Sequence, residues 1–441
     1  MIASTEPMSA WGNGGAGKPV WRNWSGLCEG RPSALLTPPD EDALRGVVRN
    51  ASHVRVVGAG HSFSPLVPTD GVIVSLDRLS GLIAHDVERH QATLWSGTRL
   101  FDAGPLLHGI GQAMPNLGDI DRQSLGGVLS TATHGTGVGL PCIAARLIKL
   151  RMITAQGEAL DIDADQDADL FHASAVSLGA LGVITQVCLQ NVPAFRLRER
   201  VTVLPLDHVL RDLDGWKRNH RNFELWAFPY SRQAIVKTLD VTDSPATKEQ
   251  QGGDSAEGLL KLCSEAARTF PRLTPLLQGL VARFVKSTER VDYSYRIYPS
   301  ARNVRFNEME YHVPEEIGAT ALDEVCRAVT TTRTGGFFPI EFRFVAGDPC
   351  WISPFQGGAR ASIAVHQYHK QDFRPLFAAA EPILRRHGGR PHWGKMHTLE
   401  HADLLKLYPK LENFLRVRHE LDPQGKFLNA HLRSLFGLHA A

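Results

Sequence analysis

"RVVGAGHSFSPL", residues 55–66, decides how the chain is read. It begins as a nucleotide-binding turn does, with a β-branched run and then Gly58-Ala59-Gly60. A dinucleotide fingerprint needs its third glycine at position 63, and Phe63 stands there. The glycines are followed at once by His61, where a phosphate loop wants only backbone. Two more glycine-rich turns follow: "SLGGVLSTATHGTG" (124–137) and "LGALGVIT" (178–185). Glycine lets backbone N–H groups approach an anion closely, and hydroxyls between the glycines add donors. Thr131, Thr133, His134 and Thr136 interleave with Gly126, Gly127, Gly135 and Gly137 in a pattern suited to a pyrophosphate. Singly, each loop reads equally well as a tight turn. Three in one half of the chain, each beside a strand, point to one long phosphate-containing ligand.

A length of 441 residues exceeds what one core holds, so two domains are expected. A net charge of +2 gives no electrostatic footprint for nucleic acid. Cys28, Cys142, Cys188, Cys263, Cys326 and Cys350 form no CxxC pair and no zinc spacing. Free thiols in a reducing, cytoplasmic compartment are the expectation. Residues 1–19 are polar and Gly-rich without an apolar h-region, which reads as a flexible tail and not a secretion signal. No run reaches the roughly 18 apolar residues of a transmembrane helix. The nearest is "LLKLCSEAARTFPRLTPLLQGLVARFV" (259–285), which charges and two prolines break into a helix pair. Association with a membrane surface stays open.

Residues 20–193 alternate β-rich runs with helical patterns. "DEDALRGVVRNAS" reads as a helix, and "FDAGPLLHGIG" as a short helix stopped by Gly111. "VRVVGAG", "GVIVSL" and "ATLWSG" read as strands, and "LIKLRMITAQGEAL" as a hairpin. Past Pro193 the texture gains charge and aromatics, with long strand candidates "FFPIEFRFVA" and "ASIAVHQYH". This second region is taken as 194–404, with a loop at 242–258 and a helical C-terminal segment at 405–441.

"RVVGAGHSFSPL", "MPNLGDID", "SLGGVLSTATHGTG", "SLGALGVITQVCLQ", "PIEFRF", "GGRPHWGKMH", "LYP" and "LDPQGKFLN" occur in the order found in the aldonolactone oxidoreductases. The chain resembles this family of vanillyl-alcohol-oxidase-type flavoproteins from about Trp21 to Gly437. The resemblance implies an α+β fold in two parts. An FAD-binding domain is made from the N-terminal half and the C-terminal segment, and an antiparallel-sheet cap domain covers the flavin. It also implies that His61 is bonded through Nδ1 to the 8α-methyl of the flavin ring. The cofactor contacts carried over are Val57, Gly58, Ala59, Gly60, His61, Ser62, Phe63, Asn116, Ser124, Gly126, Gly127, Ser130, Thr131, Thr133, His134, Gly135, Thr136, Gly137, Gly182, Val183, Ile184 and Lys395.

In "PIEFRF", Glu341 and Arg343 lie two apart, so on a strand they share a face while Phe342 and Phe344 point the other way. The resemblance puts Glu341, Arg343 and Lys395 around the substrate as the catalytic group; the proton acceptor is left open between Lys395, Arg343 and water, with lysine ahead of arginine if burial lowers its pKa, because arginine stays protonated. It puts His366 against the far end of the substrate, and Tyr368 shares the face of His366. Gly118, in "PNLGD", falls over the reactive edge of the flavin, where glycine leaves a path for oxygen. Asp119 replaces a serine of the alditol oxidases. Ionised aspartate accepts but does not donate, which favours a sugar lactone over an open-chain polyol. Glu308 and Glu310 read as residues of the cap sheet and nothing more.

The implied activity is FAD-dependent oxidation of an aldono-1,4-lactone, such as L-gulono-1,4-lactone, to an ascorbate-type product. Hydride passes from a carbinol carbon to flavin N5, and oxygen or another acceptor completes the cycle. An alditol or carbohydrate oxidase of the same type is the alternative. A non-catalytic flavin-binding protein would lack the Glu341, Arg343 and Lys395 trio, and Phe63 counts against a nicotinamide enzyme. No metal site is expected, because the 19 histidines show no HxH or HExxH arrangement beside acids.

Overall fold

Strands Val54–Val57 and Val72–Ser75 are largely buried on both faces, as parallel strands are. With Ala34–Leu36 they form a three-stranded parallel sheet in which Val72–Ser75 is central. The computed structural model describes residues 12–13, 19–247, 253–300, 304–332 and 335–438. The helix Glu41–Asn50 starts where Asp40 accepts from the Ala43 N–H at 2.8 Å, and it buries Leu44 and Val48 four apart. The expected hairpin is present as Leu147–Ile153 and Ala159–Asp163. It joins Val183–Gln190, Gln91–Trp95 and Leu82–Asp86 in a five-stranded antiparallel sheet.

An eight-stranded antiparallel sheet occupies the second region. Its order is Thr288–Tyr293, Arg196–Pro205, Gln233–Val241, Asn222–Phe228, Ile340–Val345, Arg360–Tyr368, Phe306–Pro314 and Arg390–Pro391. Helices Gly318–Thr331 and Arg374–Arg386 pack on one face, where Phe342 meets Gly318. The opposite face carries the charged residues of the site.

The C-terminal helices His401–Leu407, Leu411–Leu421 and Ala430–Leu435 bring the chain back to the first region. The Val54 N–H donates to Lys426 O at 2.9 Å. The buried Arg55 guanidinium donates to Leu66 O and Leu178 O at 2.8 Å, and to Phe427 O at 2.5 Å. One side chain thus ties the His61 loop, the third glycine turn and the C-terminal segment together.

Two expectations need adjustment. The helix Gly253–Thr269 takes up the end of the expected 242–258 loop, of which 248–252 lie outside the described residues. In the expected tail, Gly12–Asn13 pair as a strand with Pro19–Val20, and residues 1–11 and 14–18 lie outside the described residues. No described helix is long and apolar enough to cross a membrane.

Candidate active site

Two cavities meet at His61. The narrow one, about 120 Å³, runs along backbone from Val57 to Ser62 and past Ser124, Gly126, Gly127, Ser130, Thr131, Gly182 and Ile184. A side chain at Gly58 would stand 2.2 Å from Ser124 Oγ and 3.3 Å from its Cβ, so anything larger than glycine would make the Ser124 hydroxyl turn away. The wide cavity, about 510 Å³, lies between the glycine loops and the cap sheet. Phe63, Gly118, Asp119, Thr133, His134, Glu341, Arg343, His366 and Lys395 line it. His61, Ser62, Gln123 and Thr131 belong to both cavities.

The His61 ring stacks on Trp24, with centroids 5.3 Å apart. Burial, then the charges of Lys395 and Arg99, push its pKa down to about 3, so the imidazole is neutral. Its Nε2 is buried without a hydrogen-bond partner among the described residues. The HWGK turn docks on the same loop: the Phe63 N–H donates to Gly394 O at 2.7 Å and Ser64 Oγ donates to Trp393 O at 2.5 Å. That contact sets the Lys395 ammonium 5.1 Å from the centre of the Phe63 ring.

Six expected site residues fall outside both cavities. Val183 alternates away from Gly182 and Ile184 and packs with Leu44 and Val74. Asn116 donates to Thr136 O at 3.2 Å and accepts from Asn222 at 3.1 Å. Thr136 Oγ1 accepts from the Phe344 N–H at 3.3 Å, and the Gly137 N–H donates to Phe344 O at 2.7 Å. Gly135 packs against Leu117 O and Asn116. The end of the THGTG loop therefore bolts the cofactor region to the cap sheet. Tyr368 shares the sheet face of His366, but it sits at the strand end and donates to Glu265 Oε1 at 2.7 Å.

The cap sheet assembles an ionic ladder from residues opposite one another in adjacent strands. Lys237 faces Glu224, and Glu224 faces Arg343. Lys237 Nζ lies 2.9 Å from Glu224, 3.5 Å from Asp119 and 3.8 Å from Glu199. Arg343 donates to Glu224 and to Asp119, each at 2.8 Å, and pairs with Glu341. Burial disfavours the Arg343 charge, but Glu341, Asp119 and Glu224 hold its pKa up. The carboxyl of Glu341 is raised, chiefly by burial and further by Asp119 and Glu224, with Arg343 opposing. Asp119 is thus explained by its cations, a role serine cannot fill.

Glu308 and Glu310 belong to the cap sheet, as expected, and their side chains also line the wide cavity. Glu308 pairs with Lys395 and lies 3.4 Å from His366 Nε2. Burial disfavours its charge, yet Lys395 and His366 hold the carboxyl below its usual range. Glu310 bonds His134 Nε2 at 3.0 Å. His134, Glu310 and His312 come close enough to share an ion, although His312 Nδ1 already bonds Ser362 Oγ at 2.6 Å. Glu224 and Lys237 also went unread. Their signal was a charge set among apolar neighbours, Glu224 in "NFELWAF" and Lys237 after "AIV" in "QAIVKTLDV".

Residues 187–435 match the D-arabinono-1,4-lactone oxidase family, and residues 32–163 match the FAD binding domain family. L-gulono-1,4-lactone dehydrogenase of Mycobacterium tuberculosis is 38% identical over 428 residues, covering 95% of this chain and 99% of that one. L-gulonolactone oxidase of Bos taurus is 31% identical over 435 residues, covering 94% and 98%. The solved cholesterol oxidase of B. sterolicum has a TM-score of 0.79 over 99% of each chain at 15% identity, a likeness of fold alone. An FAD-binding domain beneath an antiparallel cap sheet, with an ionic pocket between them, defines a flavoprotein oxidoreductase. The chain belongs to the D-arabinono-1,4-lactone oxidase family.

The residues present fit FAD. The narrow cavity offers backbone N–H groups and the hydroxyls of Ser124, Ser130 and Thr131 to a pyrophosphate. At its junction with the wide cavity stands the unpartnered, neutral imidazole of His61.

Proposed function

We propose that this protein oxidises a secondary hydroxyl of an aldono-1,4-lactone, L-gulono-1,4-lactone or a close relative, to an ascorbate-type product. The observation that carries this reading is the convergence of Glu341, Arg343, His366 and Lys395 on the cavity that His61 joins to the glycine-lined channel. Bound FAD supplies the two-electron acceptor. The glycine loops hold its phosphates, and His61 is its covalent anchor.

Arg343 and Lys395 present positive charge to the hydroxyl as it loses its proton. Such preorganised donors are commonly worth about 3 kcal/mol each. Arg343 keeps its proton throughout, as guanidinium does, and Glu224 and Asp119 fix its orientation. Lys395 is already engaged by Glu308, so the proton passes to the Glu341 carboxylate, whose raised pKa suits it as acceptor. His366 Nε2, 3.7 Å from Glu341 and 3.4 Å from Glu308, orients a distal hydroxyl. The six free cysteines suit a reducing compartment such as the cytoplasm.

Anaerobic flavin bleaching with gulono-, galactono-, arabinono- and gluconolactones, xylitol and sorbitol tests the reading. Lactones should bleach the flavin and the polyols should not. Bleaching by the polyols alone would assign the site to alditols.

A further inference from the structure

The N-terminal hairpin of strands Pro19–Arg22 and Glu29–Gly30 closes on the His61 loop. Three residues of its turn take the carbonyls on either side of His61. The Trp24 N–H donates to Gly60 O at 2.8 Å, Asn23 Nδ2 donates to Ser62 O at 3.0 Å, and Cys28 Sγ donates to Phe63 O at 3.3 Å. Asn23 is itself held by the Cys28 N–H, which donates to its Oδ1 at 3.0 Å. With the backbone fixed on both sides, the Trp24 indole lies on the imidazole at an interplanar angle of 28°. The same indole meets Phe306, of the cap strand Phe306–Pro314, edge-on with centroids 5.2 Å apart. A stack braced in this way by the cap restricts the tilt of the imidazole.

Trp21, three residues earlier, is only 2% exposed and lines the narrow channel. Its Nε1–H is buried without an acceptor among the described residues. It packs in a cluster with Val57, Val67 and Ile73, whose side chains offer none. Buried N–H groups without partners are rare in folded chains, and the channel is where an acceptor can enter. We propose that this hairpin is a part of the flavin site that aligns the cofactor with His61: Trp24 and Asn23 orient the imidazole, and Trp21 Nε1 donates to an oxygen of the bound FAD. The proposal rests on the reading of His61 as the covalent anchor. Attachment joins an imidazole nitrogen to the 8α carbon. The methyl C–H and the imidazole N–H each give up a proton, and the two electrons left on the flavin pass to oxygen, which leaves as hydrogen peroxide. Trp24 and Asn23 act through His61 and are positioning residues.

The test follows attachment in time. The full chain, prepared without flavin, is mixed with FAD in air, and acid-precipitated samples are read for flavin fluorescence retained by the protein. Trp24→Leu should attach FAD on the order of tenfold more slowly than wild type, with the same melting temperature and the same affinity for FAD. Asn23→Ala, a milder cut in the same clamp, should slow attachment as well. Trp24→Phe, which keeps an aromatic stack, should attach FAD at close to the wild-type rate. In a His61→Ala background, where FAD binds without a covalent link, Trp21→Phe should weaken its binding about tenfold in equilibrium dialysis. Attachment as fast as wild type in Trp24→Leu and Asn23→Ala, or FAD binding unchanged by Trp21→Phe, overturns the proposal and leaves the anchor reading intact. So does slower attachment that tracks a lower melting temperature, which would make the hairpin a structural part only. A wild type that releases all its FAD on acid precipitation overturns the anchor reading and the clamp with it.

Discussion

Arg343, on the cap strand Ile340–Val345, donates to Asp119, in the loop beside the THGTG turn, at 2.8 Å. The bond crosses from one region of the chain to the other, so the pocket exists only when the cap is seated. Both side chains are about nine-tenths buried. Removing one partner of such a pair leaves a buried charge uncompensated. Asp119→Ser should lower unfolding free energy by about 3 kcal/mol, the low end of the range for buried pairs, because Glu224 and Glu341 remain with Arg343. Urea unfolding measures it, and an unchanged midpoint would show that the pair holds nothing together.

The His61 anchor predicts a flavin that survives denaturation. Wild-type protein on a denaturing gel, soaked in acid, should fluoresce at the position of the chain, and His61→Ala should not. Release of all the FAD on acid precipitation of the wild type would refute the anchor.

Gly118 has two readings with different kinetics. An alanine methyl there would stand 2.9 Å from His134 O, so the neighbouring backbone must give slightly. If glycine keeps an oxygen path open, Gly118→Ala slows reoxidation by oxygen and leaves anaerobic reduction by lactone unchanged. If both half-reactions slow together, the residue is there for loop packing.

Buried histidines predict acid lability. Burial depresses His392 to about 3 and His397 to about 4. Their folded values lie below the unfolded value of about 6.5. The stability they contribute is therefore present above that pH and lost as pH falls toward 4. The unfolded chain takes up the protons, at about 1.4 kcal/mol per group per pH unit. Neither nitrogen of His397 has a hydrogen-bond partner among the described residues. His397→Leu should thus flatten the acid slope of urea-unfolding free energy by one proton. A slope identical to wild type would show that His397 is protonated in the fold.

The legible part of the site lies inside contiguous motifs. His61 follows its glycines directly, and Glu341 and Arg343 need only strand alternation to share a face. The illegible part depends on register. Lys237, Glu224 and Arg343 meet because three strands pair in one alignment, and a shift of one residue would send Glu224 to the other face. Glu308 opposite His366 is the same case. The expected contacts of Asn116, Thr136 and Gly137 misled for a related reason. Polar groups in a glycine loop suit a ligand or a neighbouring strand equally, and only the fold shows that Phe344 takes them.

Fixed positive charge beside the reacting hydroxyl is the centre of the proposed chemistry, and stopped-flow anaerobic reduction by L-gulono-1,4-lactone measures its effect. Arg343→Met and Lys395→Met should each reduce the flavin on the order of a hundredfold more slowly than wild type, with FAD still bound. Near-wild-type reduction in both variants would contradict the account and leave the two cations a purely structural part in the cap.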